Sequence, residues 1–260
     1  MKLPEIVWIS MLVAVGVQDP LYFPPADRVS VRVMSELSPI DLAPGVHVRT
    51  VVGATGSVSI GEFDPGSAAV LHHHTREQAD VGLTGAFDMT IGTHVEKLGP
   101  DMGVIVPSNV AHSIANKGAG AMTVVEFHTV PRPDLVPPRP AMTFPSSPEA
   151  VSVPDSRSLV VRLDQPGGAG PQTITGQTCT MTWRRLARGA KPADVQAAGT
   201  ELLIYIVRGT LELEYIGLQV MGSPQRATAG SVIIIPAHQR LRLQSADTEV
   251  ALVEFSPERR

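Results

Sequence analysis

The amino-acid sequence predicts an all-β protein made of two small barrels in tandem, and three observations carry that prediction. The apolar runs are short, rich in β-branched residues and bounded by Gly or Pro, as in Val46–Val52, Val58–Phe63, Leu202–Val207 and Val250–Phe255. No stretch of the body sustains an apolar period of about 3.6 residues over helical length, so these runs read as strands. Segments of the second half also repeat segments of the first. Leu83–Gly92 matches Val207–Gly217, Gly103–Pro107 matches Ser231–Pro236, and Val124–Phe127 matches Leu252–Phe255, at offsets that stay between 124 and 129 residues. Such regularity marks an internal duplication.

The segments follow in order. Residues 1–18 hold an apolar run, Ile6 to Val17, broken only by Ser10 and Gly16 and preceded by Lys2. That is the length of a signal-peptide core, about 7–15 residues, and too short for a helix across a bilayer. Ala14-Val15-Gly16 supplies a cleavage site, so we expect an exported protein, periplasmic or extracellular. Pro4 and Glu5 fit a basic leader poorly, and a buried strand or extended arm in a cytoplasmic protein is the other reading. Residues 19–130 form the first barrel. Residues 131–148 contain seven prolines, which excludes a helix interior or central strand and reads as a linker. Residues 149–260 form the second barrel.

Composition narrows the function. Charged residues are 18% of the chain and the formal net charge is −4, which points away from a nucleic-acid surface or polybasic membrane patch. No membrane insertion of the mature protein is expected. Cys179 is the only cysteine, so no intrachain disulfide can form. No Gly-rich phosphate loop, nucleophile elbow or dinucleotide fingerprint occurs.

The chemistry gathers in residues 66–85. His72 and His74 are two apart, and on a strand such positions share a face, so both imidazoles can reach one metal ion. Gln78 has the same parity, and His112 follows a Pro-Ser-Asn turn. His73 has the opposite parity and is expected to face outward. Three imidazoles would be costly to bury unpaired if they merely filled a barrel.

These residues resemble the motifs of the cupin superfamily, and the duplication resembles a bicupin, whose units are jelly-roll barrels. The first motif is met by Gly66, His72, His74, Gln78 and Gly85, with Gln in place of the family's Glu. The second is met by Pro107, His112 and Asn116. Asn109 stands for the inner glycine and Asp101 for the outer one, and Asn is the residue that best tolerates the left-handed turn a glycine would serve. The resemblance implies a divalent transition metal, Mn, Fe, Ni or Zn, held by His72, His74, Gln78 and His112. Glu77 is the alternative oxygen ligand if strand parity slips at a bulge, although both parity and the step to Gly85 select Gln78. A neutral Gln leaves the full dipositive charge on the site, which favours anionic substrates or intermediates. The implied function is metal-dependent action on a small organic molecule, of dioxygenase, lyase or isomerase type, and a homodimer is compatible with it. A non-catalytic protein that binds a small molecule or a metal is the alternative.

The second half departs from the motifs. Counting from Gly189 places Val195 and Ala197 at the paired-histidine positions; counting back from Gly209 places Gln196 and Ala198 there. Leu241 replaces the second-motif histidine and His238 falls at the inner glycine. Neither alignment yields a ligand set, so the second barrel is read as structural and Glu201 as a solvated turn residue. His94 is expected to be exposed. Glu126 and His128 share parity on the closing strand and either face the first barrel's interior or form an outward polar pair, and His47 and Arg49 carry the same ambiguity.

Overall fold

The computed structural model describes residues 19–138, 160–162, 170–217 and 225–257. The proposed signal segment and the linker beyond Pro138 lie outside them. The first half supplies β1 (Ser30–Val33), β2 (Ile40–Ala43), β3 (Val46–Val52), β4 (Ser57–Phe63) and β5 (Gln78–Thr84). It continues with β6 (Phe87–Ile91), β7 (His94–Leu98), β8 (Met102–Val106), β9 (His112–Ala115) and β10 (Met122–His128). The second half opens with β11 (Val160–Arg162), β12 (Gln172–Thr175), β13 (Cys179–Leu186), β14 (Ala193–Gln196) and β15 (Leu202–Arg208). It closes with β16 (Thr210–Tyr215), β17 (Arg226–Thr228), β18 (Ser231–Ile235), β19 (Arg240–Ser245) and β20 (Val250–Pro257). No α-helix occurs among the described residues.

Each half is a large sheet closed against a small one. In the first, the seven-stranded sheet β11-β8-β5-β10-β4-β3-β2 faces the three-stranded sheet β7-β6-β9; in the second, the six-stranded β1-β18-β15-β20-β13-β12 faces the four-stranded β14-β19-β16-β17. Apolar side chains between the paired sheets fill two interiors, one around Phe63, Phe87, Met89 and Ile114, the other around Ile204, Leu211, Leu241 and Leu252. The third and largest core lies between the two large sheets, where Phe127 and Phe255 stack with centroids 5.1 Å apart. The strands of the large sheets are therefore covered on both faces. That explains why β15 and β20 read as nearly unbroken apolar runs instead of alternating.

Sheet membership crosses the Pro-rich segment. β1, from the first half, pairs antiparallel with β18, and β11, from the second, pairs antiparallel with β8. Each barrel thus carries an edge strand borrowed from the other half, which covers an edge that would otherwise be open. The segment read as a linker also starts as packed structure: Pro133–Leu135 forms a 3-10 turn, and Leu135 and Val136 are buried in the first-barrel and inter-barrel cores.

The duplication extends to backbone geometry. Asp101, Asn109 and His238, the residues standing at motif glycine positions, have φ values of 58°, 61° and 66°. The left-handed turn is kept in both barrels although no glycine is present at these positions.

Candidate metal centre

Three elements of the first barrel converge on one point. His72 and His74 lie on the connection between β4 and β5, Gln78 opens β5, and His112 opens β9. The paired histidines are not on a continuous strand, as strand parity had implied. His72 forms an isolated antiparallel bridge with His112, through reciprocal backbone hydrogen bonds of 3.1 and 2.8 Å. That bridge is enough to put the imidazoles of His72 and His112 on one face, while His73 is exposed at the rim of a pocket that His72 also lines.

The three imidazoles are oriented alike. Each Nδ1 lies against a backbone carbonyl: His72 on Val70 at 2.8 Å, His74 on Arg76 at 2.6 Å and His112 on Val110 at 2.8 Å. An Nδ1–H that donates to a carbonyl leaves Nε2 as the lone-pair nitrogen, the arrangement a metal-ligating histidine needs. The ligand nitrogens of His72, His74 and His112 lie within 4.8 Å of one another. Nε2 of His112 is buried and has no hydrogen-bond partner. Burial pulls the His72 imidazole down to about 4, and the same cause lowers His74 and lowers His112 strongly, so all three are neutral near pH 7.

Gln78 lies beside the three histidines. Its Oε1 lies 3.0 Å from Nε2 of His74, while its Nε2 donates to Oδ1 of Asp80 at 2.8 Å. The Asp80 contact fixes which end of the amide faces the histidine. With Nδ1 of His74 donating to Arg76, two lone-pair atoms then face one another. Two ligands at about 2.1 Å from one ion and at a right angle to each other sit about 3.0 Å apart, so a cation between them resolves the contact. The residues present fit a divalent metal.

Glu77, the alternative oxygen ligand, points elsewhere. Its carboxylate accepts hydrogen bonds from the backbone N–H of Gln177 and Thr178 and from Oγ1 of Thr178, at 2.8, 2.6 and 2.8 Å, in the β12–β13 turn of the second barrel. Glu201 does the reverse. It is 3% exposed and accepts from the backbone N–H groups of Ala54, Thr55 and Gly56 in the β3–β4 turn of the first barrel. The expectation of a solvated turn residue is thus corrected: Glu201 is a buried clamp, and its burial is tolerated because three donors satisfy it. In both turns a glycine makes the room, since a Cβ on Gly53 or Gly176 would fall 2.2 or 2.6 Å from the carboxylate. The signal was available in sequence, because Glu77 and Glu201 are separated by 124 residues, an offset of the duplication.

Further polar groups surround the cluster. Asp80 pairs with Glu126 and Gln78 with His128 across β5 and β10, which turns all four side chains to the interior. This decides the ambiguity at Glu126 and His128. Burial raises the Asp80 carboxyl well above its usual range, with Glu126 adding to the rise, and burial pushes Glu126 up to about 7. Nε2 of His128 is buried without a hydrogen-bond partner. A mouth of about 310 Å³, lined by His72, His74, Thr75, Arg76, His128 and Arg132 among others, opens above the cluster. A smaller inner pocket of about 30 Å³ lies beneath it, between Phe63, Gln78, His112 and Glu126. Asp80 and Arg132 are the groups that sequence reasoning missed. Asp80 was an acid at interior parity in an apolar strand, and Arg132 was hidden in the presumed linker. His94 is exposed, while His47 bonds Asp41 and Arg49 pairs with Glu62, away from the site.

Comparison with known proteins agrees with this architecture. Residues 59–128 match the family model described as Cupin domain. AerE from Microcystis aeruginosa is similar in structure, with a TM-score of 0.63 and 16% identity over 85% of this chain and 97% of that one. A variant of oxalate decarboxylase OxdC from Bacillus subtilis aligns with a TM-score of 0.65 and 14% identity over 88% of this chain and 77% of that one. Another Bacillus subtilis oxalate decarboxylase, described with Mn(II) centres, aligns with a TM-score of 0.64 and 15% identity, over the same shares of the two chains. At these identities the likeness is one of fold. No curated protein matches the chain in sequence.

Proposed function

We propose a metal-dependent function in which His72, His74, Gln78 and His112 hold one divalent transition ion, a reading supported by the Cupin domain match over residues 59–128. The reading extends to catalysis on a small organic molecule in the adjoining mouth, of dioxygenase, lyase or isomerase type. The observation that carries it is the shared orientation of the three imidazoles, each with Nδ1 on a carbonyl, together with the partnerless Nε2 of buried His112. A structural role alone gives no reason to gather three neutral imidazoles nitrogen to nitrogen, one of them fully buried.

A divalent ion at this point supplies Lewis-acid polarisation of a substrate oxygen. The chain's own residues supply the rest. Asp80 orients Gln78, and the three carbonyls orient the histidines. Glu126, with its carboxyl pushed up to about 7, borders the inner pocket beside His128 and is placed to accept or donate a proton near neutral pH. The mouth above the cluster favours a site open to small molecules over a closed structural metal.

Metal analysis of the full chain, purified without an affinity tag, tests the reading. About one equivalent of a first-row metal is expected, lost in the His72→Ala variant while the circular dichroism of the fold is kept. Full stoichiometry in a His72→Ala, His112→Ala double variant would refute the assignment. A loaded protein that binds small molecules but turns none over would leave the non-catalytic binding role in place of catalysis.

A further inference from the structure

Building on that reading, we propose that the mouth above the three histidines takes a small carboxylate whose charged end is held by Arg132. His72, His128 and Arg132 line both the outer mouth and the inner pocket, so the guanidinium stands at the junction between them. It is held there. Asp134 accepts from Nε at 2.9 Å and from Nη2 at 2.7 Å, while the backbone N–H of Arg132 donates to Oγ of Ser57 at 2.7 Å. Leu135 and Val136, just beyond, are buried and pin the segment to the barrel.

One carboxylate does not exhaust a guanidinium, which offers five N–H donors in a planar fork. Asp134 takes the Nε edge, and Nη1 remains on the other edge to meet a second carboxylate, the geometry in which arginine binds most selectively. Nε2 of His128, buried and without a hydrogen-bond partner, supplies another polar contact at the same junction. The positive field of Arg132 reaches His72, His74, Glu126 and His128, so it acts on the cluster itself. Deeper in, Arg132 is the one fixed cation among the residues of the inner pocket, which leaves it as the partner for an anionic end. The residues of the outer mouth are mostly polar, with Val130 and Pro131 the apolar ones among them.

Calorimetric titration of the full chain, with and without added Mn or Zn, tests this with acetate, propionate and benzoate against acetamide, propionamide and benzamide. The carboxylates are expected to bind at least tenfold more tightly than the matching amides in the metal-free protein too, where direct coordination contributes nothing. Arg132→Gln is expected to abolish that preference and Arg132→Lys to keep part of it, with metal content unchanged in both. A wild-type chain that binds amides as well as acids, or an Arg132→Gln variant that keeps the full preference, would overturn the proposal. Failure of the wild-type chain to take up metal would instead sink the metal reading, and the metal-free titration still decides the role of Arg132.

Discussion

Where the first barrel carries His72, His74, Gln78 and His112, the second carries Val195, Ala197, Leu202 and Leu241. The hydrogen-bond ladders establish the correspondence. His72 bridges His112, and Val195 pairs with Leu241. Asn109 donates its N–H to the carbonyl of His74, and His238 to that of Ala197. Gln78 pairs with Val106 and Leu202 with Ile235, each just before the motif proline. The four second-barrel residues are all buried in an apolar core, beside which Glu254, the counterpart of Glu126, is ion-paired with Arg184. At the paired-histidine positions the count from Gly189 is therefore the structurally correct one, since Gln196 and Ala198 are exposed, while Leu202 follows the count back from Gly209. One frame thus accommodates either a polar cluster or a packed apolar core. What both barrels retain is the clamp glutamate, the left-handed turn and the large sheet buried on both faces, so these features hold the frame and the ligand set is dispensable to it.

Exchanging single residues between barrels breaks this comparison most sharply. His112→Leu, which copies Leu241, is expected to abolish metal uptake, read by elemental analysis. It should also stabilise the metal-free protein by about 1 kcal/mol in urea unfolding, because a buried nitrogen without a partner is replaced by an apolar side chain. Loss of the fold would show that the first barrel depends on its polar interior.

The clamp glutamates should behave as a pair. Glu201→Ala leaves three backbone N–H groups, those of Ala54, Thr55 and Gly56, without their acceptor, and is expected to lower stability by roughly 3 kcal/mol. Glu77→Ala should cost about as much while leaving metal content unchanged. A Glu77→Ala protein that loses metal yet keeps its stability would reinstate Glu77 as a ligand.

The smallest expected effect is a pH dependence confined to the first barrel. His72 falls from 6.5 to about 4 on folding, so its contribution is present above pH 6.5 and is lost as pH drops towards 4. His74, His112 and His128 are lowered in the same direction. Glu126 is raised from 4.5 to about 7 and opposes them, its contribution being present below pH 4.5 and lost as pH rises to 7, and Asp80 acts with it. Four imidazoles outweigh two carboxyls, so the metal-free protein should lose roughly 1 kcal/mol, or about 2–4 °C of melting temperature, between pH 6.5 and 4.5. A melting temperature that rises over that interval would contradict the burial of the imidazoles as neutral groups.

The candidate ligands were legible because local spacing encodes them: residues 72, 74 and 78 lie close in the chain, and His112 follows a turn that the duplication repeats. Strand positions were legible for a similar reason, since β3 (Val46–Val52) and β15 (Leu202–Arg208) carry their burial in composition. The sequence by itself therefore determined the all-β class, the duplication and which half holds the chemistry. Pairings between distant segments were not legible, because nothing local specifies them. Only the tertiary structure decided that β1 and β11 cross between barrels, that Glu77 and Glu201 clamp each other's turns, and that Arg132 folds back over the site. For the strand edges and the clamp glutamates, an open edge or a buried charge is satisfied by a partner at least fifty residues away, and that demand is met only once the two barrels have packed together, whereas Arg132 is placed by its backbone bond to Ser57 and its ion pair with Asp134.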